Sequence, residues 1–127
     1  QRYGESVGAG GTAGGALDVA WFSRGSPDAN SVVLQFVGVR AYTLPSGLSG
    51  SEGYAITAPA DGDKTFDIQK NGSTVGTMTF AQGSNTATFS MSSETSFAAG
   101  DRLEVVAPNS QDSALADISA TFKGTKA

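Results

Sequence analysis

The apolar runs of this chain are short, and their shortness indicates its fold class. Stretches of β-branched and aromatic residues are interrupted by Gly, Ser, Thr, Ala and Asn about every 8–12 residues, and they lack the period of an amphipathic helix. Short strands at this spacing, with turn residues between them, are typical of β-sandwiches and barrels. The sequence therefore predicts an all-β chain whose strands are joined by short turns.

The segment Lys64–Phe80 gives the most definite local prediction. Phe66 and Ile68 alternate with polar residues, Asn71 and Gly72 follow, and a second alternating run completes the segment. An Asn-Gly pair readily adopts positive φ at both central positions of a type I′ turn. We therefore expect a β-hairpin here.

Other runs with a period of two residues predict the remaining strands. They are Ala16–Phe22, Ser31–Arg40, Thr86–Met91, Arg102–Ala107 and Leu115–Lys123, and the looser segment between residues 41 and 59 predicts two short edge strands, Tyr42–Leu44 and Tyr54–Thr57. The run Ser31–Arg40 is apolar on both faces, which predicts a central strand covered by the second sheet on one side and by another element, for example a neighbouring subunit, on the other. The run Leu115–Lys123 is expected to bury Ile118, Ala120 and Phe122.

The strand count and the short connections predict the architecture. About eight antiparallel strands are expected to form a β-sandwich of jelly-roll-like topology over residues 16–127. Residues 1–15 are rich in Gly and have no period, so we expect a flexible or linker segment there.

The side-chain inventory excludes several functions. The chain has 127 residues and neither Cys nor His, so thiol nucleophiles, Ser-His-Asp triads and Cys/His zinc sites are impossible. With a formal net charge of −4 it shows no clustered basic surface for a nucleic acid. Its apolar runs are far shorter than the ~20 residues of a membrane-spanning helix. We expect a domain with no cofactor, no nucleic-acid partner and no membrane insertion.

Several motifs occur in an order that resembles a known family. They are DGDKTFDIQKNGSTVGTMTFAQGSNTATFS, then FAAGDRLEVVAP, then DSALADISATFKGT. Their succession resembles a repeating module of tail-fibre, tail-spike and other adhesion proteins of tailed bacteriophages and prophage-like elements, over roughly Val32–Thr125. The resemblance implies a β-sandwich receptor-binding domain on a virion, commonly trimeric, that docks on bacterial surface polysaccharide. No catalytic residue is carried over from it.

Aromatic residues near polar loops are the candidate glycan-binding residues. Tyr42 and Tyr54 flank a loose Gly- and Ser-rich segment that contains Glu52, a composition that suits a carbohydrate groove and equally a long surface loop. Trp21, the only tryptophan, is a further candidate for stacking on a sugar. It shares a face with apolar neighbours, however, which favours a core position and leaves Phe22 facing outward.

Acidic residues are the candidates for metal binding and for catalysis. Asp61 and Asp63 stand at alternate positions as in a calcium loop, but the rest of that pattern is missing, so an ordinary turn is expected and no metal site. A glycosidase needs only two facing carboxylates. Most acidic residues here fall at predicted turns, and we expect no enzyme.

Three functions are compatible with these patterns. The first is a non-catalytic receptor-binding module of a phage tail fibre or spike, which would attach to bacterial cell-surface polysaccharide as a homotrimer. The second is a structural trimerisation or virion-attachment domain that contacts other virion proteins. The third is a secreted bacterial carbohydrate-binding module. The expected location is the virion tail or the extracellular space.

Overall fold

A computed structural model describes residues 15–127, and these residues form eleven β-strands. The strands are β1 (Val19–Ser23), β2 (Val32–Val37), β3 (Tyr42–Leu44), β4 (Glu52–Thr57), β5 (Lys64–Lys70), β6 (Ser73–Phe80), β7 (Ala87–Ser90), β8 (Thr95–Phe97), β9 (Arg102–Val106), β10 (Ala116–Phe122) and β11 (Thr125–Lys126). One 3₁₀ turn, Ser46–Leu48, is the only helical element in this range. The all-β prediction is confirmed. The predicted Gly-rich segment lies outside the described residues except for Gly15.

The strands form three antiparallel sheets. The largest has the order β2-β9-β5-β6-β7, the second β1-β10-β4, and the third β11-β3-β8. The second and third sheets adjoin where β10 continues towards β11: the Leu17 amide donates to the Gly124 carbonyl at 3.0 Å, and Ala16 forms a bridge with Thr125. The described residues are therefore arranged as an antiparallel sandwich, but a jelly roll has eight strands in two sheets, and that part of the prediction is not confirmed.

The core is one apolar cluster between the layers. The alternating inward residues of β10 are Ile118, Ala120 and Phe122, as predicted, and all three are buried. Phe122 contacts Phe89 of β7 edge to face, with ring centroids 6.0 Å apart, which joins the second sheet to the first. Edge-to-face pairs stabilise by about 0.5–1.5 kcal/mol beyond the burial of their area.

The predicted hairpin is confirmed in detail. Strands β5 and β6 pair through Lys70 and Ser73, and between them Asn71 and Gly72 have φ angles of 50° and 89°. Positive φ at both positions is the type I′ geometry that matches the right-handed twist of the strands.

The prediction of a central position for the run Ser31–Arg40 is wrong. Its strand, β2, pairs only with β9 among the described residues and therefore lies at the edge of the five-stranded sheet. The inward side chain of Phe36 packs edge to face on Tyr42 at 5.8 Å, whereas Val37 is 51% exposed and Val39 84%. Apolar residues on both faces mark here an exposed edge rather than a strand covered twice.

Candidate functional site

The outer face of the β1-β10-β4 sheet presents two exposed aromatic rings. Phe22 of β1 and Tyr54 of β4 both pair with Ser119 of the central strand β10, so the three side chains form one row across the sheet. Phe22 is 57% exposed and Tyr54 51%. Neighbouring strands lie about 4.8 Å apart, which places the two rings' backbones roughly 9–10 Å from each other.

A second row beside the first supplies polar groups. Thr121 of β10 pairs with Ala20 on one side and with Glu52 on the other. The two rows enclose an open depression of about 610 Å³ with the aromatic rings at its sides. We call this depression the Phe22–Tyr54 concavity.

The segment that precedes β7 hydrogen-bonds to the outer edge of β4, which is an edge strand of its sheet. The side-chain amide of Asn85 donates to the carbonyls of Ala55 and Ile56 at 2.7 and 3.1 Å, and the Ala55 amide donates to the Asn85 carbonyl at 2.8 Å. Thr86 then bridges to Tyr54 and lines the concavity. The wall of the concavity is thus fixed by hydrogen bonds to the strand that carries the tyrosine.

Three of the four residues predicted to bind a glycan meet at this concavity. Glu52 and Tyr54 stand on one face of β4, and Trp21 lies beneath the floor. Trp21 is buried and packs edge to face on Phe122 with centroids 6.0 Å apart, in agreement with the core alternative. Phe22 is the outward-facing aromatic residue of β1, as the alternation of side chains along a strand predicted.

Tyr42 does not join the others. It lies in β3 of a different sheet, fully buried, and its ring stacks on Phe97 with centroids 4.8 Å apart and planes 2° from parallel. Burial, together with the charge of Asp101, raises the pKa of its hydroxyl. The predicted groove between two tyrosines is therefore not formed, because alternation in β3 directs Tyr42 and Leu44 into the core.

Acidic residues outside the concavity act in turns. The Asp112 carboxylate is buried and accepts four backbone N–H groups, those of Ala60 and Asp61 on one oxygen and of Ala114 and Leu115 on the other, at 2.7–3.2 Å. These hydrogen bonds, first of all the one from Asp61, hold its pKa below the ordinary value.

Two further carboxylates have similar roles. Asp101 accepts the Ala98 amide and the Asn71 side chain, which lower its pKa. Asp63 accepts the Gln82 amide at 2.9 Å, as expected of a turn residue. Residues 15–127 contain no group of three or more acidic side chains placed to hold a metal ion.

Comparison of the chain with protein-family models finds no match, and comparison with curated proteins finds no significant match. In the part of the chain that the structure describes, no helix has the length and hydropathy needed to cross a bilayer.

Sequence reasoning missed the residues that form the floor. The floor consists of small outward residues: Ser119, Thr121 and Ala20. The only sequence signal for Ser119 and Thr121 was the alternation in β10, where Ile118 and Ala120 were predicted to point inward. That β10 would lie between β1 and β4 was not evident from the sequence, because these strands are far apart along the chain.

Proposed function

We propose that this chain is a non-catalytic receptor-binding module of a phage tail fibre or spike and that it attaches to bacterial cell-surface polysaccharide. The observation that carries the proposal is the pair of exposed rings, Phe22 and Tyr54, on either side of Ser119. The C–H faces of a pyranose ring stack on aromatic faces. The hydroxyls of Ser119, Thr121 and Thr86 supply hydrogen-bonding groups between and beside the rings.

A binding role is favoured over hydrolysis by the lining of the concavity. Cleavage of a glycosidic bond needs two carboxyl groups on opposite sides of the bond. Glu52 is the only acidic residue among the described residues that line the concavity. The resemblance to tail-fibre modules in the order of the sequence motifs supports the same role.

The rings are expected to carry much of the affinity. Replacing both Phe22 and Tyr54 by Ala removes about 1 kcal/mol per ring, which predicts about 30-fold weaker binding of the domain to glycans and to bacterial cells. A glycan array and a cell-adhesion assay with labelled protein measure this effect. Gln111→Ala is the control, because it removes an exposed side chain outside both the concavity and the edge strand β2. Failure of the unaltered domain to adhere to any glycan or bacterial surface would contradict the proposal.

One observation favours the structural alternative. Val32, Val37 and Val39 are exposed at or beside the edge strand β2, and an exposed apolar edge is suited to contact with another chain. A trimerisation or virion-attachment domain would use this edge. Deletion of the domain would then stop particle assembly, whereas loss of a receptor-binding module stops adsorption of assembled particles.

A further inference from the structure

The charge at the Phe22–Tyr54 concavity narrows the class of glycan. Glu52 is exposed, and among residues 15–127 its carboxylate takes part in no hydrogen bond or ion pair. Among residues 15–127, no Lys or Arg lines the concavity; Arg24 follows the end of β1 but does not reach the lining. Glu52 is thus the one charged side chain that the described residues contribute to the concavity.

The carboxylate stands beside an aromatic face. Glu52 and Tyr54 are two residues apart in β4 and point to the same side of the sheet, so their Cβ atoms are about 7 Å apart. Ala20 lies opposite Glu52 across β10, because both residues pair with Thr121. Its small side chain leaves open the space between Glu52, Tyr54 and Phe22. A cation between these side chains is within reach of both a carboxylate and an aromatic ring, two kinds of group that stabilise ammonium ions.

We propose that the concavity selects glycans that carry free, protonated amino groups, such as glucosamine residues, over N-acetylated and acidic glycans. This inference rests on the proposed glycan-binding function. A uronic acid or phosphate at this place would be repelled by Glu52, and residues 15–127 place no Lys or Arg in the lining to offset that repulsion, within a chain whose formal net charge is −4. An N-acetylated sugar can still stack on the aromatic rings, but it has lost the positive charge of the amine and with it the attraction to Glu52.

Calorimetric titration with three oligosaccharides tests the selection. The probes are glucosamine oligomers, N-acetylglucosamine oligomers of equal length, and galacturonic acid oligomers, at a pH that keeps the amine protonated. We expect the glucosamine oligomer to bind about fivefold more tightly than its N-acetylated counterpart, as for a partly exposed ion pair, and the acidic oligomer not to bind. The preference should weaken as salt is added.

The variant Glu52→Gln tests whether the preference for glucosamine oligomers depends on the Glu52 carboxylate. It should remove the preference for the glucosamine oligomer, so that the amino and N-acetylated oligomers bind to the variant with equal affinity. Glu94→Gln is the matched control, because it removes an equal charge at an exposed position outside the concavity. Equal binding of amino and N-acetyl oligomers, or a preference that survives Glu52→Gln, would overturn the inference.

The same measurements separate this inference from the proposed function. If glycans bind without amine preference and binding still depends on Phe22 and Tyr54, the proposed function is retained and the amine selectivity is wrong. If neither the three oligomers nor an array of other glycans binds, the proposed function fails and the inference fails with it.

Discussion

Asp112 shows how one carboxylate stabilises this fold. Its two oxygens join the turn at Ala60 and Asp61 to the segment at Ala114 and Leu115, and its own carbonyl accepts the Ser26 hydroxyl at 2.7 Å. A charged acceptor with several backbone donors is stronger than a neutral one. The residue therefore connects three loops that are distant in the sequence.

Replacing Asp112 by Asn should lower the melting temperature by several degrees at neutral pH. The amide keeps one acceptor oxygen but turns an NH₂ group towards two backbone N–H groups, which loses those hydrogen bonds and leaves donors facing each other. Thermal unfolding followed by circular dichroism measures the change. Asp63→Asn is the control, because that exposed side chain receives only the Gln82 amide and its remaining oxygen can still accept it.

The pH dependence follows from the same group. Since the pKa of Asp112 is lower in the folded than in the unfolded chain, its stabilisation is present above the unfolded value of about 4 and is lost as the pH falls through the folded value. The unaltered protein should lose stability in this acidic range, and Asp112→Asn should lose less. Identical acid profiles for the two proteins would show that the carboxylate has no such role.

At the scale of elements, Gly124 joins two sheets. A Cβ at this position would lie 2.7 Å from the Leu17 carbonyl oxygen and 3.1 Å from the Thr43 carbonyl oxygen, so only glycine allows the backbones to approach this closely. We expect Gly124→Ala to destabilise the domain by about 1–3 kcal/mol, measured by urea unfolding. Thr125→Ala, at the next and exposed position, should change stability by no more than about 0.5 kcal/mol. Equal stabilities of the two variants would contradict this account of the junction.

Elements that are determined by neighbouring residues in the chain were predictable from the sequence. The hairpin β5–β6 is specified by alternation and by Asn71-Gly72, and the inward face of β10 by its period of two residues. Two very short strands, β8 and β11, were missed because they contain one apolar residue and none, whereas the equally short β3 has two in alternation.

Long-range pairing was not predictable. The edge position of β2 and the neighbours of β10 depend on contacts between strands far apart in the chain, which alternation does not specify. Glu52 and Tyr54 were grouped from the sequence because they are neighbours in one strand. Phe22 and Ser119 were not grouped with them, because their place beside Tyr54 depends on pairing between distant strands. Tyr42 was misplaced because the strand Tyr42–Leu44, expected at a sheet edge, pairs with β11 on one side and β8 on the other and buries both residues.

At the scale of the whole molecule, the apolar edge beside β2 bears on assembly. We predict a homotrimer that uses this edge, since exposed Val32, Val37 and Val39 would be covered by a neighbouring copy. Sedimentation velocity at micromolar concentration should show the trimer, and the double change Val37→Lys with Val39→Lys should yield a folded monomer because charged residues at a sheet edge prevent association. A stable monomer of the unaltered protein would remove the prediction.

A trimer would also raise the binding strength of shallow sites. Three linked concavities on one particle bind a polymer far more tightly than one, without any new contact, provided that their geometry allows simultaneous engagement. Single-site affinity measured on a monomeric variant should therefore be low even if adhesion of the assembled protein is strong.

The common pairing of Phe22 and Tyr54 with Ser119 has a consequence for selectivity. Strands that share a hydrogen-bonded neighbour hold the Cα atoms of these two residues at a fixed spacing, unlike residues on mobile loops. If the proposed glycan binding is correct, a polymer engages both rings only if its linkages repeat at a spacing that matches this one. The module would then distinguish glycans of identical composition by how their sugars are joined.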